Sequence, residues 1–237
     1  MCPGKNIVRP RQSRFTLAAV IRAILPLGLL LAALASAGAD ILSDLSADDQ
    51  HKVKSGAQVM LTESLAGYPW PKVRVYQFVN ASPREVIAVF TDYNNATTFV
   101  PNCLKSEISK TVSRLVTDVD YVIDVPILAD EAYTVRDTLS AEPDGALKVH
   151  WKMLKATSIQ ESEGNLLAEP MGNGSIIRYT NLVKPSSMAA PLLRGVAMSQ
   201  MKDTVNAIVE HVEKQKSNPV ALKTELNRLD SALGSKD

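Results

Sequence analysis

From Leu104 to Lys184 the chain reads as an unbroken series of short strands, and after Pro185 it becomes a single long helix. This change of hydrophobic period, from about 2 to about 3.6 residues, constrains the fold more than any local motif. Strands are expected at 105–112, 114–125, 131–141, 146–158, 164–169 and 175–184. Asp144-Gly145, Gly164-Asn165 and Gly172-Asn173-Gly174 supply hairpin-turn chemistry between them, because these residues tolerate positive φ. Strands joined by such short turns pair as antiparallel neighbours. Leu147, Val149, Trp151 and Met153 alternate with Lys148, His150 and Lys152, so this strand has one dry and one wet face. Leu193, Val196, Ala197, Met201, Val205, Ile208 and Val212 then trace one stripe of a helix over about 190–216, with Pro191 in its first turn and Lys214 and Lys216 at its negative end. At ~1.5 Å per residue that helix spans roughly 40 Å. A sheet with one apolar face must cover it, and this helix is the cover the chain supplies.

The flanks add shorter units. Ser46 caps a brief helix that Gly56 ends, and Gln58 to Leu65 alternates as a strand. Two prolines make 67–71 a connector. Lys72 to Val79 is rich in β-branched and aromatic residues and leads into Ser82-Pro83-Arg84-Glu85, a capping box with proline at the first helical position. Val86, Val89, Phe90 and Tyr93 share a face of the helix that follows, which Asn94-Asn95 stops. After Pro219, Leu222, Leu226, Leu229 and Leu233 recur at 4-3-4 spacing; this stripe docks on the body or on a partner.

The first 39 residues carry Lys5, Arg9, Arg11, Arg14 and Arg22 and no acid, then an apolar run (23–35) and Ala37-Gly38-Ala39 before Asp40. Basic, apolar and small residues in that order describe a cleaved export signal. Cleavage fits before Asp40 or two residues earlier, and an uncleaved anchor is the rival reading. The compartment implied is the periplasm or the exterior. Loss of this segment removes five of the 26 basic residues and none of the 25 acids, leaving 21 against 25 and a net charge of about −4. That balance opposes nucleic-acid binding, which relies on cationic surface. Of two cysteines only Cys103 remains, so no disulfide forms within the chain. The 198 residues left of 237 suit one domain.

Four stretches carry a resemblance to a known family: VRVYQFVNASPREVIAVFTDYNN (73–95), DYVIDVPILADEAYTVRDTL (120–139), LLAEPMGNGSIIRYTNLVKPSS (166–187) and the helix from Pro191 to Val212. Together they resemble the START-like (SRPBCC) superfamily, which includes polyketide cyclases, coenzyme Q-binding START proteins and birch-pollen-allergen-like proteins. Glu131 departs from the pattern, standing where many START proteins have an arginine. The resemblance implies an α+β helix-grip fold: a curved antiparallel sheet of about seven strands around a long C-terminal helix. Residues 72–216 would form that domain, 40–71 an N-terminal extension and 217–237 a C-terminal helix and tail. The resemblance also implies a cavity between sheet and helix for an apolar small molecule or lipid. Phe90, Phe99, Tyr121, Tyr133, Trp151, Tyr179, Ala197, Met201 and Val205 are the expected wall, and the short helices at 83–101 the expected moving lid. The implied partner is that apolar molecule, with a transient membrane contact and no cofactor.

No catalytic residue is assigned. His51, His150 and His211 lack metal-ligand spacing, and no nucleophile elbow or phosphate loop occurs. Asp118, Asp120 and Asp124 share one strand face, with Val119, Tyr121 and Ile123 pointing the other way. Arg136 and Asp137 point to opposite faces, so one of them enters the interior, and the sequence leaves open which. A cyclase- or dehydratase-type enzyme in the same cavity and an interaction protein with a filled core are the rival readings.

Overall fold

The computed structural model describes residues 40–125, 129–188 and 190–234. The leader read at 1–39 and the apolar part of the 120–139 stretch at 126–128 lie outside the described residues. Among the described residues two short helices and two long ones accompany eight strands. The helices are α1 (Ala47–Lys54), α2 (Pro83–Phe90), α3 (Arg194–Lys216) and α4 (Pro219–Leu233). The strands are β1 (Val59–Glu63), β2 (Lys72–Val79), β3 (Cys103–Ser113), β4 (Val116–Ile123), β5 (Glu131–Ala141), β6 (Leu147–Ala156), β7 (Ile159–Met171) and β8 (Gly174–Pro185). They form one antiparallel sheet in the order β1-β2-β8-β7-β6-β5-β4-β3. The eighth strand, against about seven expected, is β1, which pairs with β2 at the sheet edge. This is the α+β helix-grip architecture.

Sequence chemistry accounts for most boundaries. Ser46 accepts from the Asp49 amide at the start of α1. The capping box of α2 is complete: the Glu85 amide donates to Ser82 Oγ (3.3 Å) and the Ser82 amide to Glu85 Oε2 (2.6 Å). Asp144 and Gly145 both have positive φ in the β5–β6 connection, and Gly172-Asn173 forms a two-residue hairpin loop between Met171 and Gly174.

Two boundaries differ from expectation. The β6–β7 turn lies at Thr157-Ser158, and Gly164 sits inside β7 between Trp151 and Asn181. Glycine is required there by space, since a Cβ would collide with the Thr180 carbonyl oxygen and the Trp151 ring. A strand glycine under an aromatic ring looks like a turn glycine in sequence. The long helix starts at Arg194 and not near Ala190, because Leu193 and Arg194 donate to carbonyls three residues back in tight turns and the Ala190 carbonyl accepts from Trp70 Nε1 (2.7 Å). Its 23 residues span about 35 Å.

The sheet is covered on its inner face and, over β2, β7 and β8, on its outer face as well. α2, α3 and α4 pack on the inner face, around Val75, Val119, Val149, Leu166, Ile177 and Ile208. On the outer face of β2, β7 and β8, Ile41, Leu42, Leu45 and Val53 pack against Tyr76, Leu167 and Ile176. This second cluster explains why β2 and β8 are apolar on both sides. The Tyr76 hydroxyl donates to Asp44 (2.8 Å), and burial, reinforced by that carboxylate, pushes the phenol up to about 12. Gln58 at the start of β1 reaches Asn206 Oδ1 (2.9 Å) and the Lys202 carbonyl (3.2 Å), fastening α3 to the edge. The chain passes from β2 to the far edge strand β3 through α2 and a short 3₁₀ segment, Tyr93–Thr98. With neighbouring strands ~4.8 Å apart, that crossing covers roughly 29 Å and closes one end of the space between sheet and α3. The leucine stripe of α4 docks on the body: Leu222 and Leu229 are buried, and Leu226 and Leu233 pack on the same core.

Candidate functional site

A cavity of about 310 Å³ lies between the inner face of the sheet and α3. Strand alternation builds its floor. Tyr133, Val135 and Asp137 come from β5, Tyr121 and Ile123 from β4, and Tyr179, Asn181 and Val183 from β8, each set spaced by two. Helical spacing builds its roof: Ala197, Gln200, Met201, Thr204 and Ile208 of α3. Trp70 closes one side, where its bond to Ala190 pins the connector to the approach to α3.

Seven of the nine expected wall residues meet in this cavity: Phe90, Tyr121, Tyr133, Trp151, Tyr179, Ala197 and Met201. The rings form two linked groups. Trp151 lies 5.1 Å from Tyr179 and 6.3 Å from Phe90, both tilted, and Tyr121 stacks on Tyr133 at 5.4 Å. Phe99 and Val205 are corrections. Phe99 stacks on His211 of α3 at 4.3 Å and 12°, outside the cavity wall. Val205 is 0% exposed within the packed core. A helical stripe identifies the residues facing the sheet but not which of them meet side chains and which meet space.

Further wall residues follow from the same periodicities. Asn181 stands between Tyr179 and Val183 on one strand face, and Gln200 and Thr204 flank Met201 at spacings of one and three. A polar side chain in such a pattern does not announce whether it faces solvent or a cavity, so the apolar members alone stand out. For Trp70, flanked by prolines, no periodic signal exists.

Two carboxyls reach the wall. Glu131, 3% exposed, is occupied by the β6–β7 turn, accepting the Thr157 amide (2.9 Å), the Ser158 amide (3.0 Å) and the Ser158 hydroxyl. Asp137 is the inward member of the Arg136/Asp137 pair. Burial pushes its carboxyl up to about 7, opposed by the hydroxyl of Tyr93, which donates to it, and assisted by the negative charge of Asp118. Tyr121, Tyr133 and Tyr179 are themselves raised, above all by burial. Arg136 turns to the outer face and clamps Asp118 through two bonds of 2.7 and 2.9 Å. Asp120 on that face accepts the Thr134 hydroxyl (2.5 Å). The three-aspartate face is thus the outer one over Asp118 and Asp120, as alternation implies.

The segment expected to act as a lid is tied to α4. Asp230 pairs with Arg84 of α2, and Arg228 donates to the Ala88 carbonyl (2.6 Å) and reaches Asp92 (3.3 Å). The opposite end of the cavity is bordered by Pro185, Leu193 and Val196, beside which Met188 and Leu192 are 99% and 86% exposed. Among the described residues no helix is long and apolar enough to cross a membrane.

No family model and no curated protein matches the chain. Solved structures do. A STAR-related lipid transfer protein from Xanthomonas axonopodis superposes with a TM-score of 0.60 at 18% identity, over 66% of this chain and 93% of that one. Human StAR-related lipid transfer protein 5 gives 0.57 at 8% identity, over 71% and 92%. The Zhui aromatase/cyclase from a Streptomyces species gives 0.51 at 16% identity, over 61% and 94%. With strand order, gripping helix and internal cavity all in place, the chain has the START-like (SRPBCC) superfamily fold.

Proposed function

We propose that this protein is an exported carrier that holds an apolar small molecule or lipid between the sheet and α3. The observation that carries this reading is the cavity itself: about 310 Å³ of unfilled space walled by aromatic and aliphatic side chains, at the lower end of the range for small-molecule sites. A ligand burying ~400 Å² of apolar surface gains about 10 kcal/mol. Association costs roughly 4–15 kcal/mol, so micromolar binding needs no charged contact. The lipid transfer proteins of similar fold support the ligand class, and the basic–apolar–small leader at 1–39 supports export. Ligand would pass the Pro185–Val196 end, where the exposed Met188 and Leu192 form an apolar rim suited to brief contact with a bilayer. Native mass spectrometry of the purified protein, with solvent extraction, tests the reading. A co-purifying apolar molecule is expected; repeated absence of any, together with failure to take up added lipid, would overturn it.

Asp137 favours a second reading, acid–base chemistry of cyclase or dehydratase type in the same cavity. Its carboxyl changes charge near neutral pH inside an apolar site, the property wanted of a proton-transfer group. Turnover of a polyketide-like probe, lost in Asp137→Asn with ligand uptake retained, would establish it.

A further inference from the structure

The charged groups on the cavity wall are of one sign, beside neutral hydroxyls such as those of Tyr121, Tyr133, Tyr179 and Thr204 and the Gln200 amide. Among the described lining residues there is no lysine, arginine or histidine. The charged groups are Glu131 and Asp137, and Glu131 is already occupied by the turn at 157–158. Asp137 takes the Tyr93 hydroxyl, which leaves acceptor capacity on a carboxyl with about four lone-pair sites. Asn181, also on the wall, keeps a buried carboxamide oxygen without a hydrogen-bond partner. Register places these two groups at the ends of one row across the sheet, Asp137–Trp151–Gly164–Asn181. Three strand spacings separate them by about 14 Å. Between them the floor is the Trp151 ring, let down against the backbone by the missing Cβ of Gly164.

We infer that the cavity selects an apolar molecule that donates hydrogen bonds and carries no negative charge, an alcohol or an amine, with Asp137 as the acceptor for its inner polar group and Asn181 as a second acceptor across the Trp151 floor. This rests on the carrier reading and narrows it. A fatty acid or a phosphate monoester would bring an anion into a low-dielectric space that holds a carboxyl and no compensating cation, which is repulsive and desolvating at once. An alcohol or ammonium group meets an acceptor instead. Arg136, the one cation on the same segment of β5, is committed to Asp118 on the far face of the sheet and cannot rescue an anion.

The test uses the full-length protein at pH 8, delipidated, and four probes of equal chain length: hexadecane, hexadecanol, hexadecylamine and palmitate. Binding is read by the fluorescence of Trp70 and Trp151, both on the wall, and confirmed by calorimetry. Hexadecanol and hexadecylamine are expected to bind at least roughly tenfold more tightly than palmitate. In Asp137→Asn, which keeps the size of the side chain and a partner for Tyr93, palmitate should gain and the gap should close. In Asn181→Leu the alcohol should weaken by a few-fold while palmitate is unchanged. Equal binding of palmitate and hexadecanol by the native protein, or a preference that survives Asp137→Asn, overturns the inference and leaves the carrier reading standing. Failure of all four probes overturns the inference and, together with the absence of any co-purifying apolar molecule, the carrier reading as well.

Discussion

Asp137 makes stability at the residue scale depend on pH in an unusual direction. Its carboxyl is pushed up to about 7 by burial, above its ordinary value of 3.8. The native state therefore binds more protons than the unfolded chain between about pH 4 and 7, and stability falls as pH rises through that window. A tenfold change in proton affinity between the two states is worth about 1.4 kcal/mol, so the loss amounts to a few kcal/mol. The Tyr93 hydroxyl and the Asp118 carboxylate act on this group from neighbouring elements, and Tyr121 and Tyr179 feel its charge. Asp137→Asn should flatten the profile, melting higher than the native protein at pH 8 and close to it at pH 4.5; parallel melts at the two pH values check this. Sequence shows that either Arg136 or Asp137 points inward, because adjacent strand residues alternate. It does not choose between them, since Asp118, which holds Arg136 on the outer face, lies on another strand. Gly164 tells a similar story. Gly164→Ala drives a Cβ into the Thr180 carbonyl and the Trp151 ring, and should destabilise by about 2 kcal/mol in a urea titration and shift the Trp151 emission. Its need for space comes from a ring on the neighbouring strand, so it reads locally as a turn.

At the scale of elements, α4 is a clasp on α2 and not a free arm. Burial of Leu222 and Leu229, the Arg228 bond to the Ala88 carbonyl and the Arg84–Asp230 pair all join the two helices. Truncation at Asn218 removes two buried leucines worth about 1.5–3 kcal/mol each, and should lower the melting temperature in calorimetry even with every strand present. The capping box of α2 contributes on a smaller scale: Ser82→Ala should cost about 1 kcal/mol in denaturant titration. The other end of the cavity is fastened instead by the Trp70 bond to the Ala190 carbonyl. If its apolar rim touches bilayers, Met188→Ser/Leu192→Ser should reduce co-sedimentation with phosphatidylcholine vesicles several-fold and leave the melting temperature unchanged, because both side chains are exposed. The 4-3-4 leucine spacing identifies an amphipathic helix, but a stripe does not name what covers it. The partner face on α2 exists only in the folded molecule, where residue 84 is brought beside residue 230.

For the whole molecule, occupancy of the cavity should be visible as stability. A ligand that binds only the folded state at a hundred times its dissociation constant adds about 2.7 kcal/mol, so melting temperature should climb with added hexadecanol and not with a soluble sugar of similar mass. The amino-acid sequence by itself determined the secondary structure order, the antiparallel pairing forced by short turns and the long amphipathic helix that covers the sheet, while the START-like helix-grip architecture came from the resemblance carried by four stretches. Order, pairing and helix follow from period, capping and turn residues, which act over a few positions of chain. The tertiary structure decided which apolar side chains meet each other and which meet open space. Val205 fills the core while Ala197, eight residues earlier on the same helix, lines the cavity. It also decided that Glu131 is consumed by a turn while Asp137 faces the cavity. Empty volume and unspent hydrogen-bonding capacity are properties of surfaces brought together from distant parts of the chain, and local sequence pattern carries no record of the gap that remains between them.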